Sequence, residues 1–287
     1  MNRLNNTRQR GLSMVELLVA LAISSFLILG ITQVYIDNKR NYVFQQSQAN
    51  NQENTRFAEL TLNAWLNRAG YRRAPDQAIE DAFPQVAATA DCRAFEEGAT
   101  VTDFIAAAGS QEVGLCIRYQ PASPTELDCQ GNTVKSVTGT KLNTPFVKPD
   151  VNEELIVLAI KFVPDAELNK GTLQCKNVSG TSPAFAELLD GVADMRFEFA
   201  TGENDLFEKK LKDTNPWADN AAGLVRAVRY SILFASRNNQ RDSDSRVYTD
   251  WIDSLAAGAN KTRIQDGDNR RVYQLAGSTQ TLRNMMP

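Results

Sequence analysis

The sequence predicts an α+β protein. One long N-terminal helix carries an antiparallel β-sheet on its C-terminal half, and a loop-rich, cysteine-bearing insertion interrupts the two. Three observations predict this. Leu17 to Ile36 is an uncharged, mostly aliphatic run of 20 residues. Residues 41 to 68 contain neither glycine nor proline, so nothing in them stops the helix. From Leu155 onward, β-branched and alternating segments replace helical spacing.

The N-terminal element comes first. Twenty helical residues span about 30 Å, the hydrocarbon thickness of a bilayer. Ser24, Ser25, Thr32 and Gln33 dilute the apolar character without abolishing it. Arg3, Arg8 and Arg10 precede the run with no acid among the first ten residues, and Asp37, Lys39 and Arg40 follow it. The positive-inside rule therefore keeps the first ten residues cytoplasmic and exports everything beyond Ile36. No small-residue cleavage site follows the run, as it would in an ordinary secretory signal. A glycine, Gly11, precedes it, and the one acid of the region, Glu16, comes five positions later. A carboxylate at the edge of an apolar span is costly unless it is paired.

Gly11-Leu12-Ser13-Met14-Val15-Glu16-Leu17-Leu18-Val19-Ala20-Leu21 resembles the class III signal of type IV prepilins and type II secretion pseudopilins. The resemblance implies that a prepilin peptidase cuts between Gly11 and Leu12 and N-methylates Leu12. Gly11 suits that role because it lets the backbone approach closely. The resemblance also gives Glu16 a partner, the terminal amine of a neighbouring subunit in a filament core as dry as a membrane. Such a pair would set the register of assembly. Many major pilins carry a proline kink in this helix. Here the first proline is Pro75, which leaves Gly30 as the one soft point.

The helix is expected to continue to Gly70, a natural C-cap, with Pro75 preventing continuation. Phe57, Leu60, Ala64 and Trp65 recur at helical spacing and predict the face packed on the sheet. Gln45 to Arg56 is nearly all polar and reads as solvent-exposed or as a neck. One helix, half anchor and half domain spine, is the pilin arrangement.

Tyr71 to Asp150 reads as the loop-rich insertion, with Val113 to Tyr119 its clearest strand. Three of the four cysteines, Cys92, Cys116 and Cys129, lie in it, and Cys175 follows. They form no C-x-x-C pair, which argues against zinc ribbons and thioredoxin-like chemistry. In an exported head they predict two disulfides. The residues leave all three connectivities open, with the sequential one, Cys92–Cys116 and Cys129–Cys175, as the working expectation.

Leu155 to Val163, Val192 to Phe199, Leu224 to Phe234 and Arg271 to Leu282 read as half-buried antiparallel strands, and Asp250 to Ala257 as a short helix. In order, Leu173-Gln174-Cys175, Leu189-Asp190-Gly191-Val192-Ala193-Asp194-Met195-Arg196-Phe197, Val225-Arg226-Ala227-Val228-Arg229-Tyr230 and Leu282-Arg283-Asn284 resemble minor pilins of the PilW type. The resemblance implies a type IV pilin fold in four parts. Residues 1–11 are a leader peptide, 12–36 a transmembrane and filament-core helix, 37–70 its continuation, and 71–287 a periplasmic head.

Function classes narrow accordingly. The chain has no histidine and a net charge of −3. Triads and imidazole metal sites are therefore out of reach, and nothing marks a nucleic-acid surface. No phosphate loop and no cofactor motif are present. Asp242-Ser243-Asp244 and Asp266-Gly267-Asp268-Asn269 complete no EF-hand loop and read as turns. Arg72-Arg73 and Arg270-Arg271 read as surface charges, and Trp217 and Trp251 as core or subunit-contact residues. The resemblance implies a non-enzymatic minor pilin that starts pilus assembly, sits at or near the tip and supports twitching motility and adhesion. Its implied partners are the prepilin peptidase, other minor pilins, the major pilin, the inner-membrane assembly platform and a tip adhesin. A J-type minor pseudopilin of type II secretion shares the same N-terminus, and a membrane-anchored periplasmic enzyme is the reading of another class.

Overall fold

The computed structural model describes residues 13–133, 144, 146–147, 155–180, 184–201, 211–212 and 224–285. The chain divides after Gln46 into two compact units. Helix α1 runs unbroken from Met14 to Arg68 through Gly30, as the sequence predicts. In the first unit none of its described residues is buried.

In the second unit α1 is the spine. Its buried residues are Ser47, Asn51, Thr55, Ala58, Leu62, Trp65 and Leu66, a stripe at steps of three and four. This overturns part of the predicted face. Trp65 is buried, but Phe57 and Leu60 are 46% and 72% exposed, and Ala64 is exposed as well. The polar stretch before Arg56 is no neck either. Asn51 donates to the Val272 carbonyl at 3.1 Å and Asn54 to that of Asp190 at 3.2 Å. Two interleaved stripes satisfy helical spacing, and the smaller one lets the helix axis approach the sheets. Gly70 ends the helix at φ +73°, where a Cβ would stand 2.6 Å from the Met285 sulfur. Asn284, near the other end of the chain, donates to the terminal carbonyls of Asn67 and Ala69 at 2.9 and 3.1 Å.

The head holds two antiparallel sheets where the sequence suggested one. The first has strands in chain order: β1 (Val101–Asp103), β2 (Val113–Tyr119), β3 (Ile156–Val163), β4 (Thr172–Asn177) and β5 (Ala186–Leu189). The second comprises β6 (Val192–Thr201), β7 (Leu211–Lys212), β8 (Val225–Asn239) and β9 (Arg271–Thr281), in the order β7-β6-β8-β9. One-turn helix α2 (Ile79–Ala82) precedes β1, and α3 (Arg246–Asp253) and α4 (Ala259–Asp266) join β8 to β9. The predicted short helix is thus displaced by a few residues and joined by a second.

Ala58, Leu62 and Leu66 of α1 meet Ile117, Leu158 and Ile160 of one sheet and Val228, Tyr230 and Ile232 of the other in a single core. The Tyr230 hydroxyl donates to Asn63 Oδ1 at 2.8 Å, fixing the helix on the second sheet. The far side of that sheet carries α3 and α4 on Ala193, Leu233, Ala235, Trp251 and Ile264. The far side of the first sheet is covered by the insertion through Cys92, Phe95, Phe104 and Cys116. Strand β3, expected to be half-buried, is therefore buried on both faces, as is β2 beside it. Disulfides join Cys92 to Cys116 and Cys129 to Cys175, with Cα atoms 5.9 and 6.3 Å apart. Each ties the insertion to a central strand.

Leu62 and Leu60 give a direct measure of which face of α1 is structural. Leu62→Ala should lose roughly 2–5 kcal/mol through the cavity it opens, whereas Leu60→Ala should stay within about 0.5 kcal/mol. Denaturant unfolding of the detergent-solubilised protein, followed by the tryptophan signal of the head, measures both.

Candidate assembly site at the N-terminal helix

The described chain begins at the helix start. Glu16 reaches back and accepts a hydrogen bond from the Ser13 backbone N–H at 3.1 Å. Ser13-Met14-Val15-Glu16 has the S-x-x-E pattern of a capping box, in which the acid satisfies a donor the helix leaves open. Its negative charge also sits at the positive end of the helix dipole. Sequence reading singled out Glu16 for assembly and missed this local role, though the spacing was visible. Gly11 and Leu12 lie outside the described residues.

From Met14 to Ile36 the large apolar side chains are bare, Leu29 and Ile31 being 68% and 69% exposed. By length and composition this helix is able to cross a membrane. The polar residues inside the run are accommodated locally. Ser25 donates to the Leu21 carbonyl and Thr32 to that of Ile28, both at 2.7 Å, so neither hydroxyl demands water. Gln33 donates to the Asp37 carboxylate at 3.3 Å, where the apolar stretch gives way to charge. A helix of this kind is satisfied in its backbone and unsatisfied along its sides. Chemically it can only be surrounded, by lipid or by other apolar helices.

The polar groups of the head form buried structural networks. Arg118, fully buried on β2, donates to the carbonyls of Phe83, Pro84, Glu96 and Ala99 at 2.5–3.0 Å. Its guanidinium also lies 4.6 Å from the Phe95 ring centroid. Burial lowers its pKa to about 10, which leaves it charged at neutral pH. Arg73 and Arg271 are likewise buried, at 5% and 6% exposure, against the expectation of surface charge. Arg73 donates to the Pro121, Ala122 and Thr144 carbonyls, and Arg271 to those of Ser236 and Arg237. Converging carbonyls make these sites, from loops for Arg118 and Arg73 and from the end of β8 for Arg271, and nothing in the local sequence announces them. Beside the 3.3 Å Arg68–Glu126 ion pair, burial pushes the Tyr119 hydroxyl up to about 12.

Asp194 anchors α3 and α4. It accepts from Trp251 Nε1 at 2.9 Å and from Asn260 Nδ2 at 3.1 Å, with Arg263 at 3.6 Å. Trp251 is thus a core residue, while Trp217 lies outside the described residues. Among the described residues no group of three His, Cys, Asp or Glu side chains is placed to hold a metal. Asp268, from one of the two acidic turns, pairs with Arg241 at 2.5 Å and accepts from the Tyr273 hydroxyl at 2.9 Å.

Burial raises the Asp194 pKa above its ordinary 3.8, outweighing the Trp251 and Asn260 bonds and the nearby arginine charges. The folded protein therefore holds that proton more tightly than the unfolded chain does. Stability is full below pH 3.8 at this site and is lost as pH rises through the folded value. Asp194→Asn should remove that dependence. Unfolding free energies at stepped pH should show the wild type losing ground to the variant on going from acid to neutral pH.

Comparison with known proteins bears on the N-terminal segment. Residues 6–32 match the model of the prokaryotic N-terminal methylation motif. Among curated proteins none matches the chain. A solved type IV-like pilin from Thermus thermophilus aligns with 84% of this chain and 97% of its own, at 13% identity and a TM-score of 0.39. The chain carries a prokaryotic N-terminal methylation motif of the prepilin type, continuous with the apolar helix that begins at Met14.

Proposed function

We propose that this chain is a minor pilin of the PilW type, a non-enzymatic subunit that helps start assembly of a type IV pilus and is built in at or near its tip. The observation that carries the reading is the methylation motif at residues 6–32 running into a helix with no buried residue before Ser47. Residues 1–11 would be the leader, cut by a prepilin peptidase between Gly11 and Leu12, with Leu12 methylated. The helix over residues 12–36 would first anchor the chain in the inner membrane, its head in the periplasm. In the filament it would exchange lipid for the apolar helices of other pilins. Two disulfides in the head suit an oxidising compartment.

Glu16 links the two environments. In the single chain its carboxylate is held by the Ser13 N–H, which removal of residues before Leu12 leaves in place. In a filament core the same carboxylate would also meet the positive amine of a neighbour's Leu12, an attraction strengthened by the dry surroundings. Twitching motility and adhesion would follow as properties of the whole pilus, with other minor pilins, the major pilin, the assembly platform and a tip adhesin as partners. A J-type minor pseudopilin would use the same N-terminus, and genes neighbouring this one would separate the two systems.

Intact-mass analysis of protein extracted from membranes tests the processing. The expected mature chain begins at Leu12 and is heavier by one methyl group, while a chain retaining residues before Leu12 overturns the reading. Glu16→Ala should still insert and be cleaved but should support fewer surface pili, counted by electron microscopy. Undiminished piliation would remove the carboxylate from assembly.

A further inference from the structure

The four-stranded sheet ends on β9, an edge strand of 11 residues. Edge strands are ordinarily kept short, charged, bulged or broken by proline, because their outward N–H and C=O groups template any other strand. The edges of the other sheet follow that rule: β1 has three residues and ends in Asp103, and β5 has four and carries Glu187. β9 breaks it. From Val272 to Thr281 there is no charge and no proline, and the register with β8 is unbroken from Ala235↔Tyr273 to Ala227↔Thr281.

The pairing defines which groups face out. The Leu282 N–H donates to the Arg226 carbonyl at 2.8 Å in the same register. Even-numbered residues of β9 therefore bond to β8, and Leu275, Gly277 and Thr279 turn their backbone groups outward. No described backbone group pairs with them. Leu275 is 51% exposed, and Gly277 places no side chain in the way. A groove of about 580 Å³ runs along this stretch, bounded by one charge of each sign, Glu59 of α1 and Arg229 of β8.

We propose that β9 is a strand-addition site, occupied in the assembled state by an extended, uncharged and proline-free segment of another polypeptide. The main-chain groups would supply the binding and the neutral edge the selectivity for an uncharged strand. A second copy of this chain fits less well. Pairing β9 with itself in antiparallel fashion sets a two-fold axis along the sheet normal and reverses the α1 segment Ser47–Arg68 that lies across that sheet. Subunits added to one filament in a single direction, as proposed above, do not meet that way.

Amide hydrogen exchange of the full-length protein tests this, comparing the detergent-solubilised single chain with the assembly in native membranes. Exchange at Leu275, Gly277 and Thr279 should slow about tenfold or more on assembly, with the even-numbered residues of β9 unchanged. Thr279→Pro removes an outward donor without touching a backbone bond to β8 and should abolish the added protection at Leu275 and Gly277, while Thr279→Val, which gives up the same 3.3 Å side-chain bond from Arg229, should retain it. Equal exchange in both states overturns the proposal, as does uniform slowing along β9, which would mean a covered face instead of a paired edge. A photo-crosslinker at position 279 should join β9 to a different chain, and a crosslink between two copies through β9 overturns the choice of occupant. The mass of the same sample reports cleavage after Gly11 independently, so failure of the edge and failure of the pilin reading are told apart.

Discussion

A membrane-length helix in which no described residue before Ser47 is buried is the constraint from which the rest of this protein follows. Met14 to Ile36 exposes leucine, isoleucine, valine and phenylalanine all round. At about 25 cal/mol per Å² of apolar surface, leaving such a segment in water is out of the question. The chain therefore needs lipid or partner helices at every stage. The same need explains the local handling of polarity: Ser25 and Thr32 turn their hydroxyls onto the preceding helical turn, and Glu16 closes on the Ser13 N–H. What remains to be satisfied is apolar surface, which is interchangeable between lipid and protein.

The head meets a different demand. It must hold a two-sheet core and a long irregular insertion on one helix. Small and polar residues on α1 permit the close approach, and Ala58 on the helix and Ala69 just past its end are fully buried. Among its described residues the insertion pairs as a ladder only at β1 and β2, with isolated bridges elsewhere. Buried guanidinium groups replace that ladder by gathering loop carbonyls that would otherwise be orphaned. Arg118 does this for residues 83–99 and Arg73 for 121–122, and two disulfides hold the same region to β2 and β4. Charged residues at such points act as hydrogen-bond hubs, and their charge is incidental to recognition.

Much of this was legible beforehand, for physical reasons. An uninterrupted apolar run has one reading, and the absence of glycine and proline lets the helix continue to Gly70. Strands β2, β3, β6, β8 and β9 announced themselves by β-branching or alternation. Helix α4 did not, because its residues are almost all polar and only Ile264 is buried. The capping relation of Glu16 to Ser13 was visible in the spacing but passed over in favour of the long-range role.

The sequence by itself determined most of the elements and the membrane-length apolar run, because hydrophobic run length, turn residues and backbone stereochemistry act over a few neighbours. Only the tertiary structure decided which of two helical stripes faced inward. Phe57, Leu60 and Ala64 offered the more apolar choice, yet the sheets accept the row through Asn51, Ala58 and Leu62, whose small side chains and side-chain amides fit the space and the carbonyls opposite. It also decided that Arg73, Arg118 and Arg271 are buried, since the carbonyls they bind come from residues tens of positions away. Such choices depend on what stands opposite, and that is known only once the chain has folded.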